Sequence, residues 1–121
     1  MIDAKQLGLI GENKAAEYLV NHGFQLLHRN YTSPFGEMDL VMRKGREFVF
    51  VEVKTRSGQD FGEPYLAVSE SKKKKYRNLA LFYIQRECTS EPAYRFDIIS
   101  LIINRWNGDI VRLDHYDNAF V

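Results

Sequence analysis

The sequence predicts a single α/β domain spanning residues 1–121, with a mixed central sheet flanked by helices. Three observations carry this expectation. A capped, helix-periodic segment opens the chain, three strand-like runs follow in close succession, and a second helical segment separates them from two more strands. A helix joining the third and fourth strands suits a right-handed crossover between parallel neighbours, so the order is an αβββαβ core with an added C-terminal strand.

Asp3 followed by Gln6 has the spacing of a helix N-cap and its capping-box partner, and Gly23 is placed to end the same helix. The helix is expected from Ala4 to Asn21. Gly8, Glu12, Ala15, Ala16 and Leu19 share one face, which puts the Glu12 carboxylate on the stripe that should pack inward. Phe24 to Asn30 reads as a short strand, and residues 32–36 supply turn chemistry.

Two strands, Glu37 to Arg43 and Glu47 to Thr55, then form a hairpin around Lys44-Gly45. With those two residues as the loop, Val41 faces Phe48, Asp39 faces Phe50 and Glu37 faces Glu52. Asp39, Glu52 and Lys54 then project from one face, with Asp39 diagonal to Glu52. Arg56 to Pro64 reads as a loop. Ser69 or Ser71 can cap a second helix reaching Arg86, with Tyr76, Leu79, Ala80 and Tyr83 as its apolar stripe and Lys72 in line with them. Tyr94 to Ile103 is an apolar strand interrupted by Asp97. Asn107-Gly108 signals a two-residue turn into a last strand from Asp109 to Leu113.

Hydrophobic residues make up 45% and charged residues 27%, the balance of a folded rather than a disordered chain. With no apolar run long enough for a membrane span and no secretory start, a cytoplasmic protein without a membrane partner is expected. The single cysteine, Cys88, excludes an internal disulfide and reads as a small buried hydrophobe. The net charge is only +1, but between Arg43 and Arg77 there are 10 Lys/Arg against 5 Asp/Glu. That local basic excess coincides with the most unusual polar residues.

Two carboxylates and an ammonium on a clefted face are expensive to desolvate, and Asp39, Glu52 and Lys54 are therefore the candidates for chemistry. Strand alternation is equally compatible with a solvated hairpin face. Phe48 and Phe50 weigh against that, because they share the face of Glu52 and Lys54 and make it apolar at one end. Hard oxygen ligands of this kind suit Mg²⁺ and, through it, a phosphodiester. His22, His28 and His115 have no paired ligand spacing and read as structural. Asp97 reads more readily as a structural partner of Arg95 or of a helix end than as a catalyst.

Gly36-Glu37-Met38-Asp39-Leu40-Val41, followed by Phe50-Val51-Glu52-Val53-Lys54-Thr55-Arg56, closely resembles the YraN-like family of predicted nucleases in the PD-(D/E)xK, restriction-endonuclease-like superfamily. Gly8 to Ala16, Arg29-Asn30-Tyr31, Lys72, Arg95-Phe96-Asp97 and Asn118-Ala119-Phe120 extend the likeness, in order, over nearly the whole chain. Met38 stands where the superfamily has proline, which is not a ligand.

The resemblance implies a restriction-endonuclease-like fold, similar to that of archaeal Holliday-junction resolvases. It implies that Asp39 and Glu52 ligate Mg²⁺, or Mn²⁺ as a substitute. The Val53 carbonyl would be a further ligand, and Glu12 would reach the metal directly or through water. Lys54 would orient or help deprotonate the attacking water and offset transition-state charge. Lys72, Lys73, Lys75, Arg77, Arg56 and the Arg43 turn are expected to contact DNA phosphates.

The expected activity is a metal-dependent deoxyribonuclease acting on branched, flapped or single-stranded intermediates, with a homodimer as a candidate assembly. The rival readings are a weakly active DNA-binding repair or recombination factor and a structural adaptor whose charged face meets protein.

Overall fold

The computed structural model describes residues 1–57 and 68–120. The expected loop from Arg56 to Pro64 therefore falls, beyond Ser57, outside the described residues. The elements are α1 (Ala4–Asn21), β1 (Gln25–Ser33), β2 (Gly36–Lys44), β3 (Glu47–Ser57), α2 (Glu70–Glu87), β4 (Tyr94–Ile103) and β5 (Ile110–Phe120). They build one five-stranded sheet in sequential order, antiparallel throughout except for the parallel β3–β4 pair. The α2 connection between β3 and β4 is the expected crossover, and the arrangement matches the restriction-endonuclease-like αβββαβ pattern.

α1 starts on the Asp3–Gln6 capping box and ends on a Schellman motif. In that motif the Gly23 and Phe24 amides donate to Val20 and Leu19, and Gly23 takes the left-handed φ of 89°. The buried row of α1 is Leu7, Gly11, Ala15, Ala16 and Leu19. Gly8, expected on that row, is exposed, because Leu7 brings the larger side chain to the sheet and carries the face one position earlier. Leu7, Ala15, Ala16 and Leu19 pack on Leu40, Met42, Val49, Val51, Ile99, Leu101 and Ile103. The opposite sheet face, with Met38, Val41, Phe50, Phe96 and Ile98, receives Tyr76, Leu79, Ala80, Tyr83 and Ile84 of α2. Both faces are covered, which is why β2 and β3 are buried through their middles and polar groups there stand out.

Gly11 lies against Thr55 so closely that a Cβ would sit 1.9 Å from the Thr55 hydroxyl. Glu12 follows the first of these residues and Lys54 precedes the second, so this contact sets the spacing of α1 from the polar end of β3. Gly11→Ala is expected to destabilise the fold by about 1–3 kcal/mol through overpacking. Thr55→Ala should restore part of the loss, read from denaturant midpoints of the single and double variants.

The β2–β3 register differs from the expectation by two residues. Lys44 pairs with Glu47, Arg43 with Phe48 and Val41 with Phe50, leaving Gly45 and Arg46 in the turn. Gly45 adopts the left-handed φ of 62° there. The observed pairing sets Lys44 opposite Glu47, whereas the expected one would have set Arg43 opposite Arg46, two like charges. A shift of two preserves the faces, so Glu52 and Lys54 still share one side. The paired ladder ends at Leu40–Val51, one step short of Asp39 and Glu52, which therefore stand where the two strands part.

β1 continues to Ser33, beyond the expected end, with a register shift between Leu26 and His28 and a left-handed Asn30 at φ 52°. β5 begins at Ile110 and is longer than expected. Its far end is drawn in by Phe120, which stacks on Phe96 at 4.8 Å and Tyr76 at 5.8 Å. The connection before it is a six-residue turn, Asn104 to Asp109, rather than a two-residue one. The Asn104 side chain accepts from the Trp106 and Asn107 amides and holds this wider form. None of the described helices is long and apolar enough to cross a membrane.

Candidate functional site

Past Leu40 and Val51 the β2–β3 ladder stops, and the chemistry-bearing side chains gather at that fork. Asp39 turns into it, where its Oδ2 accepts the Val53 amide at 2.7 Å. Glu52, only 8% exposed, points toward α2, and its Oε1 receives Lys72 Nζ at 2.7 Å and lies 3.4 Å from Lys54 Nζ. The α2 N-terminus is set at the fork by Ser69, whose hydroxyl accepts the Lys72 amide, so capping and the reach of Lys72 are linked. These burials are not those of a solvated hairpin face. A cleft of about 510 Å³ opens above the fork, bordered by Glu37, Asp39, Glu52, Lys72, Lys75 and Tyr76.

Glu12 approaches from α1, with its Oε1 held by Arg29 at 3.0 Å and by the Asn30 amide group at 3.0 Å. Asn30 lies across from Asp39 in the β1–β2 ladder, between the Arg29–Leu40 and Tyr31–Met38 pairs. Its left-handed backbone, which asparagine tolerates better than most residues, accompanies this contact with Glu12.

The electrostatics of the two central carboxylates differ. Burial pushes the Asp39 carboxyl up to about 6; the negative charges of Glu12, Glu52 and Glu37 add to this, and the Val53 amide opposes it. Burial would also raise Glu52, but the Lys72 hydrogen bond and the charges of Lys54 and Lys72 outweigh it and hold the carboxyl below its ordinary value. Tyr76 shows the same field in reverse: burial, with the charges of Glu52 and Asp39, raises its phenol above the usual range. Asp39 is thus a carboxylate with too little positive charge around it, whereas Glu52 already has two lysines.

A folded-state pKa above the unfolded value means that Asp39 contributes stability below about pH 4 and loses it as pH rises through about 6. In EDTA, Asp39→Asn should therefore melt higher than the parent at pH 7–8, by about 1–2 kcal/mol after allowance for solvent reaching the carboxyl. The difference should close below pH 4. A thermal melt series across pH checks this, and equal pH dependence for both proteins would count against a crowded carboxylate.

Among the described residues no three acidic, histidine or cysteine side chains converge as a ready metal cage. The donor set nevertheless fits a hard cation that takes one or two carboxylates and keeps several waters. Glu52 Oε2 is buried without a hydrogen-bond partner among the described residues, and Asp39 lies in surplus negative charge.

The other expected site residues are distributed unevenly. Lys75 borders the cleft, Lys72 is engaged with Glu52, and Lys73 pairs with Glu70 at 3.2 Å. Arg77 instead borders a separate hollow beside Arg95, Phe96 and Phe120. Arg43 lies at the far end of β2, where it bonds the Gly45 carbonyl and sits over Phe48. The hairpin turn is therefore not part of the cleft. Arg56 has buried guanidinium nitrogens without partners among the described residues.

Sequence reasoning read Tyr76 only as apolar stripe, and treated Arg29-Asn30 as a motif without a task. A tyrosine two turns into a helix gives no sign that it will border a cleft with buried carboxylates, whereas the Arg29-Asn30 pair of donors beside an inward Glu12 was a usable signal. A second cavity, about 460 Å³ near Cys88, Leu81, Ile84 and Tyr94, has no paired carboxylates.

The model of an uncharacterised protein family, UPF0102, matches residues 11–101, which include Glu12, the β2–β3 fork, α2 and most of β4. A UPF0102 protein of Dictyoglomus turgidum is 39% identical over 116 residues, covering 96% of this chain and 98% of its own. Another from Pelotomaculum thermopropionicum is 39% identical over 121 residues, covering 99% and 100%. One from Caldicellulosiruptor saccharolyticus is 35% identical over 119 residues, covering 98% and 100%. With matches of this extent over both the fold and the fork, the chain belongs to the UPF0102 family.

Proposed function

We propose that this protein is a metal-dependent deoxyribonuclease of the PD-(D/E)xK type that hydrolyses phosphodiester bonds in branched, flapped or single-stranded DNA. The observation that carries the reading is the fork itself: Asp39 and Glu52 both border the cleft where β2 and β3 part, with Lys54 beside Glu52 and one Glu52 oxygen unpartnered among the described residues. Asp39, Glu52 and the Val53 carbonyl would hold Mg²⁺, with Glu12 joining them through water. When bound, the ion supplies charge neutralisation at the phosphate and acidifies water.

The chain's own residues do the rest. Lys54 shares the strand face of Glu52 and lies 3.4 Å from its Oε1, from where its ammonium would orient the attacking water and offset the added negative charge of the transition state. Asp39 is held by the Val53 amide, so its carboxylate is fixed before substrate arrives. Arg29 and Asn30 fix Glu12 in the same way. Lys75, at the cleft rim, would take a flanking phosphate, and Lys72, engaged with Glu52 at 2.7 Å, would join it were Glu52 to serve as a metal ligand instead. Positioning and charge compensation suffice for phosphoryl chemistry, and no covalent nucleophile is needed.

A second reading is favoured by one observation. Both Lys72 and Lys54 already engage Glu52 Oε1, a closed arrangement that suits a DNA-binding factor with slow turnover until a partner or a second copy opens it.

The test is a panel of labelled duplex, single strand, flap and four-way junction incubated with Mg²⁺ or Mn²⁺. Cleavage that disappears in Asp39→Ala supports the nuclease. Salt-sensitive binding without cleavage supports the second reading. Absence of both cleavage and binding overturns the proposal.

A further inference from the structure

The turn between β4 and β5 ends in a feature that neither the core nor the fork uses. Trp106, the only tryptophan of the chain, is 72% exposed at its tip. A large aromatic side chain in water is costly unless it has a partner to meet. Here it is presented by an unusually well tied backbone. Asn104 Oδ1 accepts the Trp106 amide at 2.8 Å and the Asn107 amide at 3.2 Å, and Asn107 Oδ1 accepts the Asp109 amide at 2.9 Å. The Asn104 amide donates to the Asp109 carbonyl and the Gly108 amide to the Asn104 carbonyl, each at 2.8 Å. The turn is also fastened to its surroundings, since the Ile2 amide donates to the Arg105 carbonyl at 2.9 Å. The indole is therefore held out by a rigid support.

Its position links it to the fork. β3 and β4 are parallel, with Ser57 paired to Ile103, so the turn leaves the sheet at the same edge toward which β3 carries Glu52 and Lys54. Arg105 Nη2 donates to the Ser57 hydroxyl at 3.1 Å and its Nη1 lies 3.7 Å from Met1 Sδ, which holds the guanidinium of the residue before Trp106 at the end of that strand. Ser57 lies three residues beyond Lys54, roughly 10 Å along an extended strand, with its side chain on the opposite, α1-covered face, so a single strand reaching both would round the end of the sheet. An exposed ring beside a cation, on a rigid support near a phosphodiester site, is the arrangement on which an unpaired base stacks while its phosphate is neutralised.

We infer that Trp106 and Arg105 form a stacking platform for an unpaired base of the DNA substrate, so that the protein selects DNA with a single-stranded segment leaving the cleavage site. The inference rests on the nuclease or DNA-binding reading above and narrows its substrate class. Met1, Ile110 and Val111 are also exposed near the turn, and a base is favoured over a protein partner because the group beside the ring in sequence, Arg105, is a cation suited to a phosphate.

The experiment uses the full chain in EDTA, where no cleavage complicates binding, with a thymidine oligomer and a blunt duplex as probes. Because Trp106 is the sole tryptophan, its fluorescence reports on this site alone. Addition of the oligomer should quench it, and anisotropy of labelled DNA should show that Trp106→Ala weakens oligomer binding about tenfold, with duplex affinity unchanged. Trp106→Phe, which keeps a stacking ring, should recover most of the affinity, and Arg105→Ala should weaken binding and flatten its salt dependence.

Oligomer binding that leaves the fluorescence unaltered and is indifferent to Trp106→Ala overturns the platform and leaves the nuclease reading standing. Failure to bind either DNA, in EDTA and equally in Ca²⁺, overturns both. A fluorescence change that instead tracks protein concentration, with a dimer in sedimentation abolished by Trp106→Ala, overturns the platform by making the ring a contact between copies.

Discussion

Lys54→Ala should lower the single-turnover cleavage rate by about two or more orders of magnitude while leaving DNA affinity nearly unchanged. The reason is the differential charge of the reaction. A phosphodiester carries one negative charge and its pentavalent transition state nearly two, so an ammonium beside it is worth more at the transition state than in the ground state. Lys54 Nζ lies 3.4 Å from Glu52 Oε1 with its side chain 21% exposed, and this pairing keeps it at the fork with part of its hydration already removed. Arginine should rescue only in part, because a planar guanidinium cannot take the place of a compact ammonium or give up a proton. A structural pairing alone, worth under about 1 kcal/mol at this exposure, would predict an unaltered rate and a slightly lower melting temperature. Rapid-quench kinetics with excess enzyme separate the two, and an unchanged rate would end the proposed mechanism.

The site was legible to different depths for physical reasons. Side-chain alternation has a period of two, so Asp39 stays on the face of Glu52 and Lys54 when the two-residue loop moves from Lys44-Gly45 to Gly45-Arg46 and the register changes by two. The register itself was not legible, because turn propensity alone could not weigh Lys44–Glu47 against a loop that set arginines across from each other. Both helices were readable almost to the residue, since their ends are written in local chemistry: Asp3–Gln6, Ser69 and the glycine after His22.

Long-range effects were hidden. No local pattern announces that Lys72 will reach back 20 residues to Glu52. Basic residues were also easier to count than to place. The excess between Arg43 and Arg77 divides in space, with Lys72 and Lys75 at the cleft and Arg43 at the far end of the hairpin. Asp97 was placed more readily as a structural partner than as a catalyst, and its Arg95 bond is present. What local pattern withheld was that a histidine would join it from β5, since His115 has no ligand spacing around it.

That buried carboxylate supports the second large effect. Asp97 is fully buried in β4 and is satisfied on every side. Arg95 donates from Nε at 3.0 Å and Nη2 at 3.2 Å, His115 Nε2 lies at 2.8 Å, and the Asn118 amide donates at 2.9 Å. Asn118 reaches it by adopting a left-handed φ of 48° where β5 shifts register, so the carboxylate ties the last strand to its neighbour. Tyr18 of α1 extends the chain of contacts through His115 Nδ1 at 3.2 Å. Burial would raise the Asp97 carboxyl, but the His115, Arg95 and Asn118 hydrogen bonds outweigh it and hold it below its ordinary value. A depressed folded-state pKa contributes stability that is present above the unfolded value near 4 and lost as pH falls below it. Asp97→Ala should therefore destabilise the protein by about 3–5 kcal/mol at pH 7, because it strands the Asn118 amide, takes the acceptor from His115 and leaves Arg95 with Glu47 as its remaining ion-pair partner. Asp97→Asn, which keeps one oxygen but opposes an amide nitrogen to Arg95 or His115, should cost less, and its stability should fall less steeply than the parent's as pH drops from 5 to 3. Urea unfolding at pH 7 and thermal melts across the acid range give both numbers. Cleavage by Asp97→Asn, assayed well below its melting temperature, should stay within a few-fold of the parent, since none of its partners borders the fork. A rate loss comparable to that of Lys54→Ala would instead move Asp97 into the chemistry.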